Sequence, residues 1–251
     1  MTGEKARNTS SRRTFMKVCM TAMATAGAQR IAAAIPSGTH REYNRVQLMD
    51  HNNKPLRASD LAPGENYIFH YPYVATPCFL LELGEPAARE VELLTEDGRR
   101  YLWQGGTGKN RSIVAFSAIC AHKMTHPAKS VSFINYRHER VKFAGKNYQA
   151  QENNKVIFCC SEKSVYDVRN GAKVLGGPAK QPLAAVTLEH EPESDSLFAT
   201  GTFGGEMFDK FFSKFRNRLQ LEYRMTEVDR RVADSSMVLP LDEYCKTRIL
   251  C

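Results

Sequence analysis

The chain has 251 residues, 42% of them hydrophobic, a fraction typical of a globular protein that buries a core. Its formal charge is +8, but much of the excess lies in the first 17 residues, where five Lys and Arg side chains face only Glu4. No nucleic-acid-binding motif accompanies this charge, so the composition favours a targeting segment and excludes a nucleic-acid partner.

The N-terminal segment has the pattern of an export signal. Residues 11–17 read SRRTFMK, which resembles the twin-arginine export motif, and an apolar run and an Ala-Gly-Ala cleavage-type site follow at residues 18–28. The resemblance predicts a signal or anchor over residues 1–35 and a periplasmic protein. Cleavage and retention as an inner-membrane anchor stay open, although Gln29 and Arg30 interrupt a run that needs about 20 apolar residues to span a membrane.

The middle of the chain has the pattern of an all-β domain. Residues 36–63 are polar and turn-rich and are interpreted as a linker or irregular edge segment. Short β-branched and aromatic runs then alternate with turn residues, which predicts an antiparallel sandwich or small barrel over residues 64–203. The predicted strands include residues 67–69, 78–83, 112–117, 156–158 and 184–188, with a hairpin joining 91–94 to 101–103.

The C-terminal segment, residues 204–251, begins with a helical rather than a strand-like sequence pattern. Apolar side chains recur at helical spacing from Met207 to Leu219, and Lys and Arg occupy the other faces, which predicts an amphipathic helix. Its Phe-rich face is expected either to pack on its own β-domain or to dock onto a partner subunit or membrane surface.

Two segments carry residues suited to metal chemistry. Cys120-Ala121-His122 follows one predicted strand, and residues 159–167, CCSEKSVYD, follow another. Both resemble the ligand loops of Rieske proteins, whose C-x-H and C-x-x-H motifs place two thiolates on one iron and two imidazoles on the other. The resemblance implies a Rieske-type fold with a 2Fe-2S cluster held by Cys120, His122, Cys159 and, at the position of the second histidine, Glu162.

Further matches extend the resemblance over roughly residues 64–202. Ser164 and Tyr166 stand where family members donate hydroxyl hydrogen bonds to cluster sulfurs, and Gly177 and Pro178 lie in a segment similar to the proline loop that covers the cluster. Residues 71–72 and 77–86 are similar to the small subunit of arsenite oxidase, which is the nearest subgroup.

The sequence departs from the family pattern in several places. Thr125 and Ser161 replace the cysteines that bridge the two loops in cytochrome bc complexes. The stretch 123–158 is longer than the family norm, and its His126 and His138 become candidates for substitute ligands. A carboxylate at Glu162 adds negative charge, which is expected to lower the reduction potential.

The cysteines outside the ligand set leave their roles open. Cys160 is a conceivable replacement ligand, and Cys245 with Cys251 could form a bridge in the C-terminal segment, although sequence alone does not fix disulfide pairing. Cys78 is expected to be a free, buried thiol in a strand.

The resemblance implies one-electron transfer by a subunit of a respiratory oxidoreductase complex, with no catalytic residues of its own and no role as a stand-alone enzyme. Its partners would be a larger redox subunit, molybdenum-containing or of cytochrome b type, and a periplasmic cytochrome. The alternative is a subunit with the same fold but no cluster, which stabilises a larger complex through its sandwich and its C-terminal helix.

Overall fold

The fold is taken from a computed structural model, which describes Thr2 and residues 40–251. The signal or anchor predicted for residues 1–35 lies outside the described residues and stays a prediction. Among the helices that are described, none is long and apolar enough to cross a membrane.

Strands dominate the described part of the chain, and two helices follow them in its last quarter. The strands are β1 (His40–Met49), β2 (Tyr67–His70), β3 (Pro77–Glu82), β4 (Val91–Leu94), β5 (Arg100–Trp103), β6 (Ile113–Ser117), β7 (Ile134–Arg137), β8 (Val141–Ala144), β9 (Ala150–Asn153), β10 (Val156–Cys159), β11 (Ser164–Asp167), β12 (Lys173–Gly176), β13 (Ala185–Glu191), β14 (Ser196–Phe203), β15 (Ser235–Met237) and β16 (Leu239–Pro240). The helices are α1 (Glu206–Tyr223) and α2 (Leu241–Tyr244), and single 3₁₀ turns lie at Ala58–Asp60 and Val168–Asn170.

The larger sheet has eight strands in the order β15-β1-β14-β13-β6-β3-β2-β16. Its pairs are antiparallel except β1 with β15, which is parallel. Its two outermost strands, β15 and β16, are separated in sequence by Val238 alone, so the chain itself connects both ends of the sheet into a nearly closed, barrel-like layer. The predicted all-β class is confirmed.

A second sheet, in the order β12-β11-β10-β7, and two hairpins, β4-β5 and β8-β9, complete the β structure. Phe79 and Phe116 of the larger sheet and Ile157 and Tyr166 of the smaller one lie in a single core and are almost fully buried. The predicted strands and the β4-β5 hairpin are present, with end residues shifted by at most a few positions. The candidate ligands lie where this core meets the ends of β6 and β10.

Part of the segment interpreted as a linker, His40–Met49, forms strand β1 of the larger sheet. β1 pairs with β14 and β15, and its Val46 and Leu48 are fully buried. The sequence did not reveal this strand, because buried and more exposed residues alternate only in its second half. That half follows a register shift between Glu42 and Val46.

The C-terminal segment contains the predicted helix but is only partly helical. Phe208 and Phe211 of α1 are fully buried and share a core with Ile119 and Ala184, so the Phe-rich face packs on its own β-domain. After α1 the chain returns to the larger sheet as β15 and β16, both too short to produce a recognisable sequence pattern.

Candidate metal centre

The first ligand loop is a tight turn that follows β6. The Cys120 N–H donates to the Thr125 carbonyl (2.8 Å), and the Met124 N–H donates back to the Cys120 carbonyl (2.9 Å). Met124 adopts a left-handed conformation, with φ of 68°. These contacts hold Cys120 at the base of the loop and leave the His122 side chain at its surface, 31% exposed.

The second ligand loop joins β10 to β11 in a hairpin whose last paired residues are Cys159 and Ser164. Only residues 160–163 lie between them. The Glu162 N–H donates to the Cys159 carbonyl (3.3 Å), and Lys163 turns the chain with φ of 57°. The short loop places Cys159 and Glu162 on the side that faces the first loop.

The two loops bring three candidate ligands together. The Sγ atoms of Cys120 and Cys159 and a carboxylate oxygen of Glu162 all lie within 4.8 Å of one another. Both cysteines are free thiols with no exposed surface. His122 adjoins the group through Glu162, because its Nδ1 lies 3.1 Å from Glu162 Oε2. The structure therefore places all four predicted ligands at one site.

Glu162 is the centre of the polar contacts between the loops. Its Oε2 accepts from the Lys123 N–H (2.7 Å) and lies 3.4 Å from Cys120 Sγ, while its Oε1 accepts from the Thr125 hydroxyl. Burial alone would raise the pKa of this carboxyl, but the hydrogen bonds from Thr125 and Lys123 outweigh it, so the pKa lies below its ordinary value. Thr125, noticed in the sequence only as a missing cysteine, is thus a direct partner of Glu162.

The two thiols differ electrostatically. Their mutual hydrogen bond lowers the pKa of Cys120 and raises that of Cys159. The Tyr166 hydroxyl lies 3.3 Å from Cys120 Sγ and accepts from the Ala121 N–H (3.1 Å). Tyr166 therefore contacts one of the two candidate thiolate ligands.

The remaining predicted cofactor-binding residues also lie beside the second loop. Ser164 is fully buried, and its hydroxyl has no hydrogen-bond partner among the described residues. Gly177, at φ of 78°, passes so close to this loop that a Cβ would stand 2.1 Å from the Lys163 carbonyl oxygen. Only glycine fits there, and Pro178 follows it.

Cys160 is not a spare ligand, since it forms a disulfide with Cys251. The conceivable Cys245–Cys251 bridge is wrong, because Cys245 is free and buried. The sequence could not reveal this pairing, which depends on a C-terminal path that returns alongside residues 129–135.

His126 and His138 do not join the described ligand group. His126 is buried between Phe211 and Phe215, and its Nδ1 contacts the Met124 carbonyl (2.9 Å). His138 contacts the Tyr136 hydroxyl (3.2 Å). The expectation that either could replace the missing histidine is therefore not supported.

The residues present fit an iron–sulfur group. Two thiols, an imidazole and a carboxylate are donors that iron accepts, and the two loops bring them together. The unpartnered Ser164 hydroxyl is an independent indication of such a group, because a buried donor without an acceptor costs about 1–3 kcal/mol. An inorganic sulfide next to Cys159 would accept a hydrogen bond from this hydroxyl.

No protein-family model matches the chain. Among solved structures, it is similar to the soluble domain of the Rieske protein II (soxF) of Sulfolobus acidocaldarius, with 22% identity and a TM-score of 0.42. The alignment covers 64% of this chain and 78% of that one.

Proposed function

We propose that this protein transfers single electrons through a Rieske-type 2Fe-2S cluster held by Cys120, His122, Cys159 and Glu162. The observation that carries the proposal is the pair of fully buried free thiols on two adjacent loops, with the Glu162 carboxylate within 4.8 Å of both. When bound, such a cluster supplies a reversible one-electron change.

The chain's own residues would set the driving force of that step. The Tyr166 hydroxyl beside Cys120 Sγ stabilises negative charge on sulfur, which raises a reduction potential. The Glu162 carboxylate acts in the opposite direction, since it adds negative charge that disfavours a further electron. His122 is the most exposed of the four ligands and provides the shortest route between the site and solvent or a partner.

The proposed setting is the periplasm, reached by the twin-arginine route, with inner-membrane anchoring as the alternative. The support is the SRRTFMK motif, because that route carries proteins already folded around their cofactors. The proposed partners are a larger redox subunit, molybdenum-containing or of cytochrome b type, and a periplasmic cytochrome. Their support is the resemblance of residues 71–72 and 77–86 to the small subunit of arsenite oxidase, and of the ligand loops to Rieske proteins.

A second candidate is a cluster-free subunit that stabilises a complex. One observation favours it: the Glu162 carboxylate already accepts from Thr125 and the Lys123 N–H and contacts His122. A carboxylate satisfied by protein donors can close the gap between the loops without metal.

Iron and acid-labile sulfide content, with an EPR spectrum of the dithionite-reduced protein, distinguish the two candidates. We expect about two irons and two sulfides per chain and a rhombic spectrum. Cys159→Ser should lose the iron, the sulfide and the EPR signal. Cys245→Ser, which changes another buried free thiol, should keep all three. A folded, colourless wild-type protein without iron would establish the cluster-free subunit instead.

A further inference from the structure

We propose that the last six residues of the chain position the second ligand loop. Residues 246–251, here called the C-terminal strap, end in Cys251, which is bonded to Cys160 directly beside the candidate ligand Cys159. The strap would align Cys159 and Glu162 with the first loop. Its effect on a cluster rests on the proposed function, but its effect on the loop does not.

The strap is itself anchored to the domain. Its backbone runs beside the segment that leads into β7, and three hydrogen bonds join them: Lys246 N–H to the Lys129 carbonyl (3.0 Å), Ser132 N–H to the Thr247 carbonyl (2.9 Å) and Ile249 N–H to the Ser132 carbonyl (2.9 Å). Ser132 is fully buried. The strap is therefore a fixed support and not a loose end.

Side chains of the smaller sheet continue this anchoring to the last residue. Asn135 Nδ2 donates to the Ile249 carbonyl (2.9 Å), and an Arg137 guanidinium N–H donates to the Cys251 carbonyl (3.1 Å). Asn135 and Arg137 both belong to β7, which pairs with β10. The disulfide thus ties the loop after β10 to a strap held by the neighbouring strand.

Apart from the contacts of Glu162 with the first ligand loop and the close approach of Gly177 to Lys163, the second loop has few other supports among the described residues. Within residues 160–163, the Cys160 N–H donates to the Phe133 carbonyl (2.7 Å) and the Glu162 N–H to the Cys159 carbonyl. The other polar supports of Glu162 come from the first loop. Because Ser161 and Lys163 are exposed, the disulfide is the strongest restraint on the path of the loop.

The effect of the disulfide on the second ligand loop can be distinguished from its effect on the stability of the whole fold. A disulfide across 91 residues also constrains the unfolded chain and so stabilises the whole fold. A positioning role predicts a much larger increase in hydrogen exchange in the second loop than in the larger sheet, together with a changed site, whereas simple stabilisation predicts a similar increase in both.

The test compares the full chain with Cys251→Ser, Cys160→Ser and the double variant, and uses Cys245→Ser as a matched control in the same region. In Cys251→Ser we expect amide exchange of residues 160–163 to accelerate about tenfold more than exchange in β3 and β6, which follows the stability of the whole fold. The Cys160→Ser and double variants should match it, because each removes the same bond. Cys245→Ser should behave as wild type.

In iron-loaded protein, Cys251→Ser should also show a shifted reduction potential and altered EPR g-values, which loss of fold stability alone would not produce. Unchanged exchange at residues 160–163, or uniform acceleration over the domain, overturns the proposal. If wild type contains no iron but the loop still loosens selectively, the positioning role holds and the electron-transfer function fails.

Discussion

At the scale of single residues, the site depends on one carboxylate. The sequence located Glu162 by its place in a motif, and the structure shows it within reach of Cys120, His122 and Thr125. No sequence motif marks Thr125 as a functional residue, because a hydroxyl donor can be identified only when its acceptor in space is known. The candidate ligands could be recognised from their motifs, whereas their hydrogen-bond partners on the other loop could not.

Replacing Glu162 by histidine should raise the reduction potential. A neutral imidazole removes one negative charge from the site, and the expected change is about 100 mV or more. Protein-film voltammetry measures it, with Glu193→Gln in the exposed turn between β13 and β14 as a charge-matched control. An unchanged potential and spectrum in Glu162→His would falsify the assignment of Glu162 as a ligand.

Tyr166→Phe tests the second tuning contact. It removes the hydroxyl near Cys120 Sγ and leaves the partly buried Ala121 N–H without its acceptor. The reduction potential should fall, and the free energy of unfolding should fall by about 1–3 kcal/mol. Tyr101→Phe is the control, since Tyr101 is buried in the same core and stacks on Phe203. A potential equal to that of wild type would exclude a role for this hydroxyl in tuning.

At the scale of elements, strong periodicity was informative and short or interrupted patterns were not. The run from Met207 to Leu219 predicted α1 because every buried position recurs at helical spacing. β16 has two residues, and its place beside β2 is decided by tertiary contacts alone. The long stretch 123–158 was recognised as an insertion, but its β8-β9 hairpin was not resolved from the sequence.

The attachment of α1 makes a direct stability prediction. Phe208 is fully buried and lies 6.3 Å, centroid to centroid, from the Tyr73 ring. Phe208→Ala should lower the free energy of unfolding by about 3–5 kcal/mol. Leu221→Ala, at a position of the same helix that is 81% exposed, should change it by less than about 0.5 kcal/mol. Urea unfolding measures both, and equal effects would contradict the packing of this face on the domain.

A histidine between α1 and the larger sheet predicts a pH dependence. His70 Nε2 lies 3.1 Å from the Tyr223 hydroxyl, which contacts the Tyr244 hydroxyl (3.0 Å). Burial lowers the pKa of His70 from 6.5 to about 4, and the nearby charge of Lys129 adds to this. Between those values the unfolded chain binds more protons, so stability must fall as the pH falls.

His70→Gln should flatten this dependence. Between pH 7 and pH 4, the loss of unfolding free energy in wild type should exceed that in the variant by about 1–3 kcal/mol. His51→Gln, which alters an exposed turn, should retain the wild-type slope. Denaturant titrations at a series of pH values provide the comparison, and parallel curves for all three proteins would exclude His70 as the cause.

At the scale of the whole molecule, the positive charge is concentrated near the N-terminus. This basic cluster precedes the described domain and contains the residues that resemble the twin-arginine motif. Replacing Arg12 and Arg13 together by lysine should keep the protein in the cytoplasm, because the export machinery recognises the arginine pair. Cell fractionation measures this, with Arg7→Lys as the control. Periplasmic protein at wild-type level in the double variant would exclude the twin-arginine route.

The overall class was predictable because turn residues punctuate the strands at regular spacing. The closure of the larger sheet was not, since it depends on which distant strands meet. β1 and β2 lie near opposite ends of the strand order, and residues 235–240 pair with the outer edges of both. No sequence pattern within residues 235–240 predicts that they pair with both strands.

This connection has a consequence for biosynthesis. Until residues 235–240 emerge from the ribosome, the nascent chain has no partner for the outer edges of β1 and β2, and exposed strand edges invite pairing with other chains. The β-domain therefore acquires its final topology late in translation. A transport system that accepts only folded proteins would therefore reject chains that lack these residues, because their larger sheet is incomplete. Such a system would need no separate mechanism for detecting chain length.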